Sequence, residues 1–267
     1  MNETLSKSAL KIIDDYFNLP FSGVMGVRCP YFNNRRLMRR GQLRVLIGKG
    51  TPREIVEEAK IISIQYHKGV VDKNGACCAE HADKDDKPEE YLRKFLIENN
   101  LGIDCSGFIT QVMLKHFGET KNINFLKKMF TAPKKNFIRW TISRLRPIEQ
   151  MGVKAYANEL NSKEIKMSEI QPADLVIMLE TGPKNDRNHM LLVTEKTGDT
   201  IKYVHARAWS SEGKYGHGVY EGKIKIIKPE DGLPEQEWEE KGKTGSENES
   251  LLEAKQARVL QIKRLKI

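Results

Sequence analysis

Gly102-Ile103-Asp104-Cys105-Ser106-Gly107-Phe108-Ile109 joins a cysteine to the start of an apolar run. Ile109, Val112, Met113 and His116 recur at i, i+3, i+4 and i+7, the spacing of one buried helix face. Asp104 fits the N-cap position, where a carboxylate accepts a hydrogen bond from a first-turn N–H. Cys105 then falls in the first turn, where N–H groups and the helix dipole favour an anion. A thiol so placed loses its proton more readily, and the thiolate is the nucleophile. Such a nucleophile needs a base from elsewhere in the chain.

Downstream of residue 171 the texture turns to strands. Segments 174–179, 189–195, 200–208 and 218–227 are apolar or alternating, and Gly- and Asp-containing turns join them. This pattern predicts an antiparallel meander. His189 starts the second of these strands and His205 lies towards the end of the third. If the two pair antiparallel, the start of one faces the end of the other, and both histidines share one end of the sheet. Residues 228–256 are charged and carry Pro, Gly, Glu and Ser, so they read as a solvated excursion. Residues 257–267 predict a closing strand that covers a sheet edge. The expected class is α+β, with helices on a central antiparallel sheet of about five strands.

Upstream, Leu5, Ala9, Ile12, Ile13 and Tyr16 predict an amphipathic helix over 5–18, which Pro20 closes. Thr51, Pro52 and Glu54 form a capping-box start for a helix over 52–66. Tyr91, Leu92, Phe95 and Leu96 mark a further helix over 89–99. Gly48-Lys49-Gly50-Thr51 lacks the spacing of a phosphate loop. Residues 121–150 are basic and apolar by turns: Lys134, Lys135, Arg139, Arg144 and Arg146 surround Phe137 and Trp140. They predict either a helix with a basic outer face or a rim for an anionic substrate.

The sequence has 267 residues, 39% hydrophobic and 30% charged, with a net charge of +9. That describes a globular chain able to bury a sizeable core. The basic cluster Arg35, Arg36, Arg39, Arg40 and Arg44 is not interleaved with aromatics, so solubility explains the charge better than nucleic acid. Cys29, Cys77, Cys78 and Cys105 are too few for a disulfide framework, which points to a reducing compartment. Lys7, Lys11, Asp14 and Asp15 break any signal-peptide core, so the expected location is cytoplasmic, or outside by a non-signal route. No run approaches the ~20 apolar residues of a membrane span.

The cysteine motif, with three later segments, resembles the NlpC-type cysteine peptidases, a cell-wall endopeptidase branch of the papain-like fold. Asp104-Cys105-Ser106-Gly107-Phe108 is similar to that family's nucleophile motif. Gln171-Pro172-Ala173-Asp174-Leu175-Val176 resembles its strand entry, with Ala173 where glycine is usual. Asn188-His189-Met190-Leu191-Leu192-Val193 resembles its histidine strand, and Tyr203-Val204-His205-Ala206 the segment of its third polar residue. The likeness covers residues 101–227. It implies a catalytic domain over 101–267, preceded by an extension over 1–100.

The resemblance further implies a Cys105–His189–His205 triad acting on a peptide or peptidoglycan fragment without a cofactor. Asp104 and Ser106 would hold a substrate amine, and Tyr31 would line the substrate site. His116 is no base for Cys105, because it lies about 16 Å further along the helix at ~1.5 Å per residue. Two other readings stay open. One is a catalytically silent papain-like binding module. The other is a zinc- or nucleic-acid-binding protein built on Cys29, Cys77, Cys78, His81 and the arginine cluster.

Overall fold

Local signals set the helices. Thr51 Oγ1 accepts from the Glu54 N–H at 3.3 Å, and Glu54 Oε2 accepts from the Thr51 N–H at 2.8 Å. This capping box starts a helix at Pro52, a residue whose missing N–H costs nothing in the first turn. The structure, a computed structural model, describes residues 3–33, 43–72, 87–131, 140–141 and 145–267. Its longer helices are α1 (Lys7–Phe17), α2 (Pro52–Gln65), α3 (Pro88–Glu98), α4 (Cys105–Lys121) and α5 (Glu249–Gln256). Arg35, Arg36, Arg39, Arg40, Cys77, Cys78, His81, Lys134, Lys135, Phe137, Arg139 and Arg144 lie outside the described residues.

The strands are β1 (Glu3–Thr4), β2 (Ser162–Glu164), β3 (Leu175–Thr181), β4 (Arg187–Thr197), β5 (Thr200–Arg207), β6 (Gly218–Lys225), β7 (Glu237–Glu240), β8 (Lys243–Thr244) and β9 (Val259–Leu265). The class is α+β, as expected. The sheet is larger than the expected five strands: eight follow one another in the order β2-β9-β3-β4-β5-β6-β7-β8, and β1 pairs with β4 off that path. The additional strands are short and carry no apolar run, so hydrophobic patterning does not reveal them. The expected closing strand forms within residues 257–267 as β9, but it is interior, paired antiparallel with both β2 and β3.

Two compact units divide the chain. The first comprises residues 1–9, 112–205 and 220–267, and the second 10–111 and 206–219. In the first, one sheet face buries Val176, Met178, Leu191, Val193, Ile201, Tyr203 and Ile224 against Trp238, Leu251 and Ala254. Entry to β3 is pinned by Asp174, which is fully buried and takes two hydrogen bonds from Arg264, at 2.7 and 2.8 Å. Ala173 takes a left-handed φ of 72°. In the second unit, Tyr16 packs edge-on to Phe108 with centroids 5.2 Å apart, and its hydroxyl donates to the Gly50 carbonyl at 2.7 Å.

Residues 228–256 are not a solvated excursion. They hold β7, β8 and α5, and they bury Leu233, Gln236, Trp238, Glu240, Leu251 and Ala254. The Gln236 side chain accepts from the Ile227 and Lys228 N–H groups and donates to the Lys228 carbonyl, closing the approach to β7. Lys241 and Gly242, at φ 54° and 73°, form the turn between β7 and β8. Two successive left-handed residues suit the twist of a tight hairpin. In β7, Glu237 and Glu239 face outward while Trp238 and Glu240 face inward, the period-two rule of a strand.

Two measurements check this account. Trp238→Ala should cost about 3–5 kcal/mol of unfolding free energy, and Glu230→Ala on the exposed part of the segment under about 0.5 kcal/mol. His116 Nδ1 accepts the Ser6 N–H at 3.2 Å, and burial lowers its pKa below 6.5 against the pull of Glu119. The unfolded chain therefore takes up this proton first. The stability it represents is full above about pH 6.5 and is lost as pH falls through the lower folded value. Denaturant titrations at about pH 7 and about pH 5 should show a smaller acid loss in His116→Gln than in the parent. The Glu119 carboxyl, held low by hydrogen bonds from Ser8, is common to both proteins.

Candidate active site

The second unit builds the cysteine turn. Residues 30–32 run beside the chain just before the helix: Ile103 N–H donates to the Pro30 carbonyl at 3.0 Å, and Phe32 N–H to the Ile103 carbonyl at 3.0 Å. This places Tyr31 in a parallel bridge with Ile103, two residues before Cys105, despite the long separation in sequence. Asp104 N–H donates to the Gly48 carbonyl at 3.0 Å, bringing a second loop against the turn. The approach requires glycine at 107, because a Cβ there would stand 2.2 Å from the Gly48 oxygen. Cys105 opens α4 and is 6% exposed.

One carboxylate oxygen organises this turn. Asp104 Oδ1 accepts from the Gly107 N–H at 2.5 Å, the N-cap bond expected from the sequence. The same oxygen accepts from the Ser106 hydroxyl at 2.9 Å and from the Lys49 ammonium at 2.9 Å. Lys49 Nζ also donates to Ser106 Oγ at 2.5 Å. Lys49 is 3% exposed, and its carbonyl accepts from the buried Gln111 amide at 2.8 Å, which ties the lysine loop to α4. Asp104 and Ser106, expected to hold a substrate amine, are thus both engaged with an ammonium of this chain. Cys29 has no comparable surroundings: it is fully buried, and burial pushes its thiol far above the usual range against a weaker pull from Arg93.

The first unit builds a relay of imidazoles. His189 Nε2 lies 2.8 Å from His205 Nδ1. His205 Nε2 lies 2.9 Å from Glu240 Oε2, with both side chains fully buried. By strand alternation His189 shares a sheet face with Leu191 and Val193, His205 with Ile201 and Tyr203, and Glu240 with Trp238. The Tyr203 and Ser250 hydroxyls each reach Glu240 Oε2 at 3.2 Å. Gly222 leaves room for the tyrosine, since a Cβ there would meet its Cζ and Oη at 2.4 Å.

These contacts order the protons once Glu240 is ionised. An ionised Glu240 would only accept, which would put the hydrogen on His205 Nε2 and make His205 Nδ1 the acceptor. The shared hydrogen between the histidines then sits on His189 Nε2, which makes His189 Nδ1 the unprotonated, basic nitrogen. Sequence reasoning brought His189 and His205 together but missed Glu240 and Lys49. For Glu240 a signal existed: Glu237-Trp238-Glu239-Glu240-Lys241-Gly242-Lys243-Thr244 alternates about a Lys-Gly turn. For Lys49 there was none, since lysine is rarely buried.

No family model, curated protein or solved structure matches this chain. The NlpC-type likeness therefore rests on the motifs themselves. Among the described residues no group of three or more His, Cys, Asp or Glu side chains is placed to hold a metal ion. The zinc set built on Cys29 includes three residues outside the described ones. Among the described residues no helix is long and apolar enough to cross a membrane.

Glu240→Ala should lose about 3–5 kcal/mol of stability, because three buried donors are left without their acceptor. Glu240→Gln should lose less but shift the His205 proton. Imidazole NMR of the parent should show both His189 and His205 protonated on Nε2. A parent His205 protonated on Nδ1 would contradict the assignment.

Proposed function

We propose that this chain is a cysteine hydrolase, an endopeptidase or amidase of papain-like type, acting on an amide bond of a peptidoglycan-type peptide. The observation that carries it is the buried His189–His205–Glu240 relay, in which an ionised Glu240 would make His189 Nδ1 the base. A carboxylate behind two imidazoles is more than a structural histidine needs. It stabilises the positive charge that arises when His189 takes a proton. The other half of the chemistry is Cys105, held at a helix start whose cap is already satisfied. The NlpC-type likeness of residues 101–227 supplies the substrate class.

The proposed reaction runs in two stages. His189 takes the Cys105 proton, and the thiolate attacks the amide carbonyl. The Cys105 N–H stabilises the oxyanion. His189 then protonates the leaving amine, and water, deprotonated by His189, releases the acyl group and restores the thiol. His205 holds His189 in the required tautomer, and Glu240 does the same for His205.

Alkylation by iodoacetamide across pH, read by peptide mapping, tests the activation. Cys105 should label well below the usual thiol range, about pH 8.5, and His189→Ala should lose that early labelling. Digestion of muropeptides should fall by about 10²–10⁴-fold in His189→Ala and vanish in Cys105→Ala. Cys105 labelling like an ordinary thiol, with no digestion, would sink the hydrolase reading in favour of a silent binding module.

A further inference from the structure

Lys49 is a buried lysine with a carboxylate, a hydroxyl and the helix start around it. We infer that Lys49 is a positioning residue that cancels the charge of Asp104, so that the carboxylate next to Cys105 does not oppose thiolate formation. This rests on the hydrolase reading for its purpose, but the charge balance concerns Cys105 alone.

An ionised Asp104 adjacent to the cysteine repels a thiolate and raises its pKa. The helix start acts in the opposite sense, through N–H groups and a partial positive charge. Asp104 is needed there, because it caps the helix through Gly107. Its cost to the cysteine is removed by placing an ammonium 2.9 Å from the same oxygen that caps. The ammonium is also held by Ser106 Oγ at 2.5 Å, with its side chain 4% exposed, so salt screens the pair little. Ser106 links the two charges by donating to Asp104 at 2.9 Å while accepting from Lys49.

Among the described residues, the other ionisable groups in contact with this part of the second unit are neutral or mutually paired. From α1 comes Tyr16, whose hydroxyl is kept neutral by burial, reinforced by Glu54 and Asp104, against the pull of Arg44. Cys29 is likewise a neutral thiol. Arg44 and Glu54 form an ion pair and cancel one another.

The experiment measures the pH at which Cys105 alkylation by iodoacetamide is half-maximal, in full-length protein. Lys49→Met should raise that midpoint by about one pH unit, and Asp104→Asn should lower it by a similar amount. The double variant should return near the parent value, and Lys49→Arg should stay near it. No shift in Lys49→Met, or shifts of the same sign in both single variants, would overturn the inference, since structural damage does not produce opposite shifts. Should Lys49→Met fail to fold, Asp104→Asn decides alone: a lowered midpoint supports charge balance, and an unchanged or raised one refutes it. The two readings fail separately. An ordinary parent midpoint sinks the hydrolase, while the shifts relative to that midpoint still decide the role of Lys49.

Discussion

A carboxylate buried to 1% exposure sits inside this sheet, and much else is arranged around it. Taking a charge out of water costs several kcal/mol unless donors replace the solvent. Glu240 meets this with the His205 ring, the Tyr203 phenol and the Ser250 hydroxyl, all on one oxygen. The donors come from separate elements: His205 and Tyr203 from β5, Ser250 from α5. The acceptor comes from a four-residue strand that a tight turn returns on itself. A glycine on β6 gives the phenol its space. Remove the carboxylate and the tautomers of both imidazoles lose their reason.

A second buried charge, Lys49, follows the same logic in the other unit. Its ammonium is satisfied by Asp104 and Ser106, and its backbone is fixed by Gln111. In each case the polar group is paid for by convergent partners rather than by exposure. In each case a partner of the buried charge, His205 or Asp104, lies one hydrogen bond or one residue from a group with chemical potential, His189 or Cys105. Polar satisfaction and chemistry are the same arrangement seen from two sides.

Much of this was legible in the sequence where local rules dominate. Thr51, Pro52 and Glu54 announced a helix start, and Asp104 announced the cap of α4. Apolar runs marked β3 to β6, and antiparallel pairing placed His189 beside His205. The failures share a cause. β2, β7 and β8 are made by backbone pairing over two to four residues, too short for a pattern to register. The composition of 228–256 is that of a solvated loop, because its outward half is charged. Only the alternation around Trp238, with a Lys-Gly turn, carried the other message. Tyr31 and Lys49 reach the cysteine turn by contacts between loops distant in sequence, and no spacing rule encodes those.

The position of β9 has a consequence for how the chain is made. This strand follows the other described strands in the sequence, yet it lies between β2 and β3. During synthesis β3 to β8 can zip up as they emerge, each beside its predecessor. Until β9 arrives, β3 keeps an open row of N–H and C=O groups, and β2 has nothing to pair with. Arg264, which pins Asp174 at the entry to β3, arrives with the same strand. Closure is therefore a long-range, late event, the kind that slows folding and prolongs the life of a sticky edge. A nascent chain of this protein is a candidate for chaperone custody until β9 is delivered.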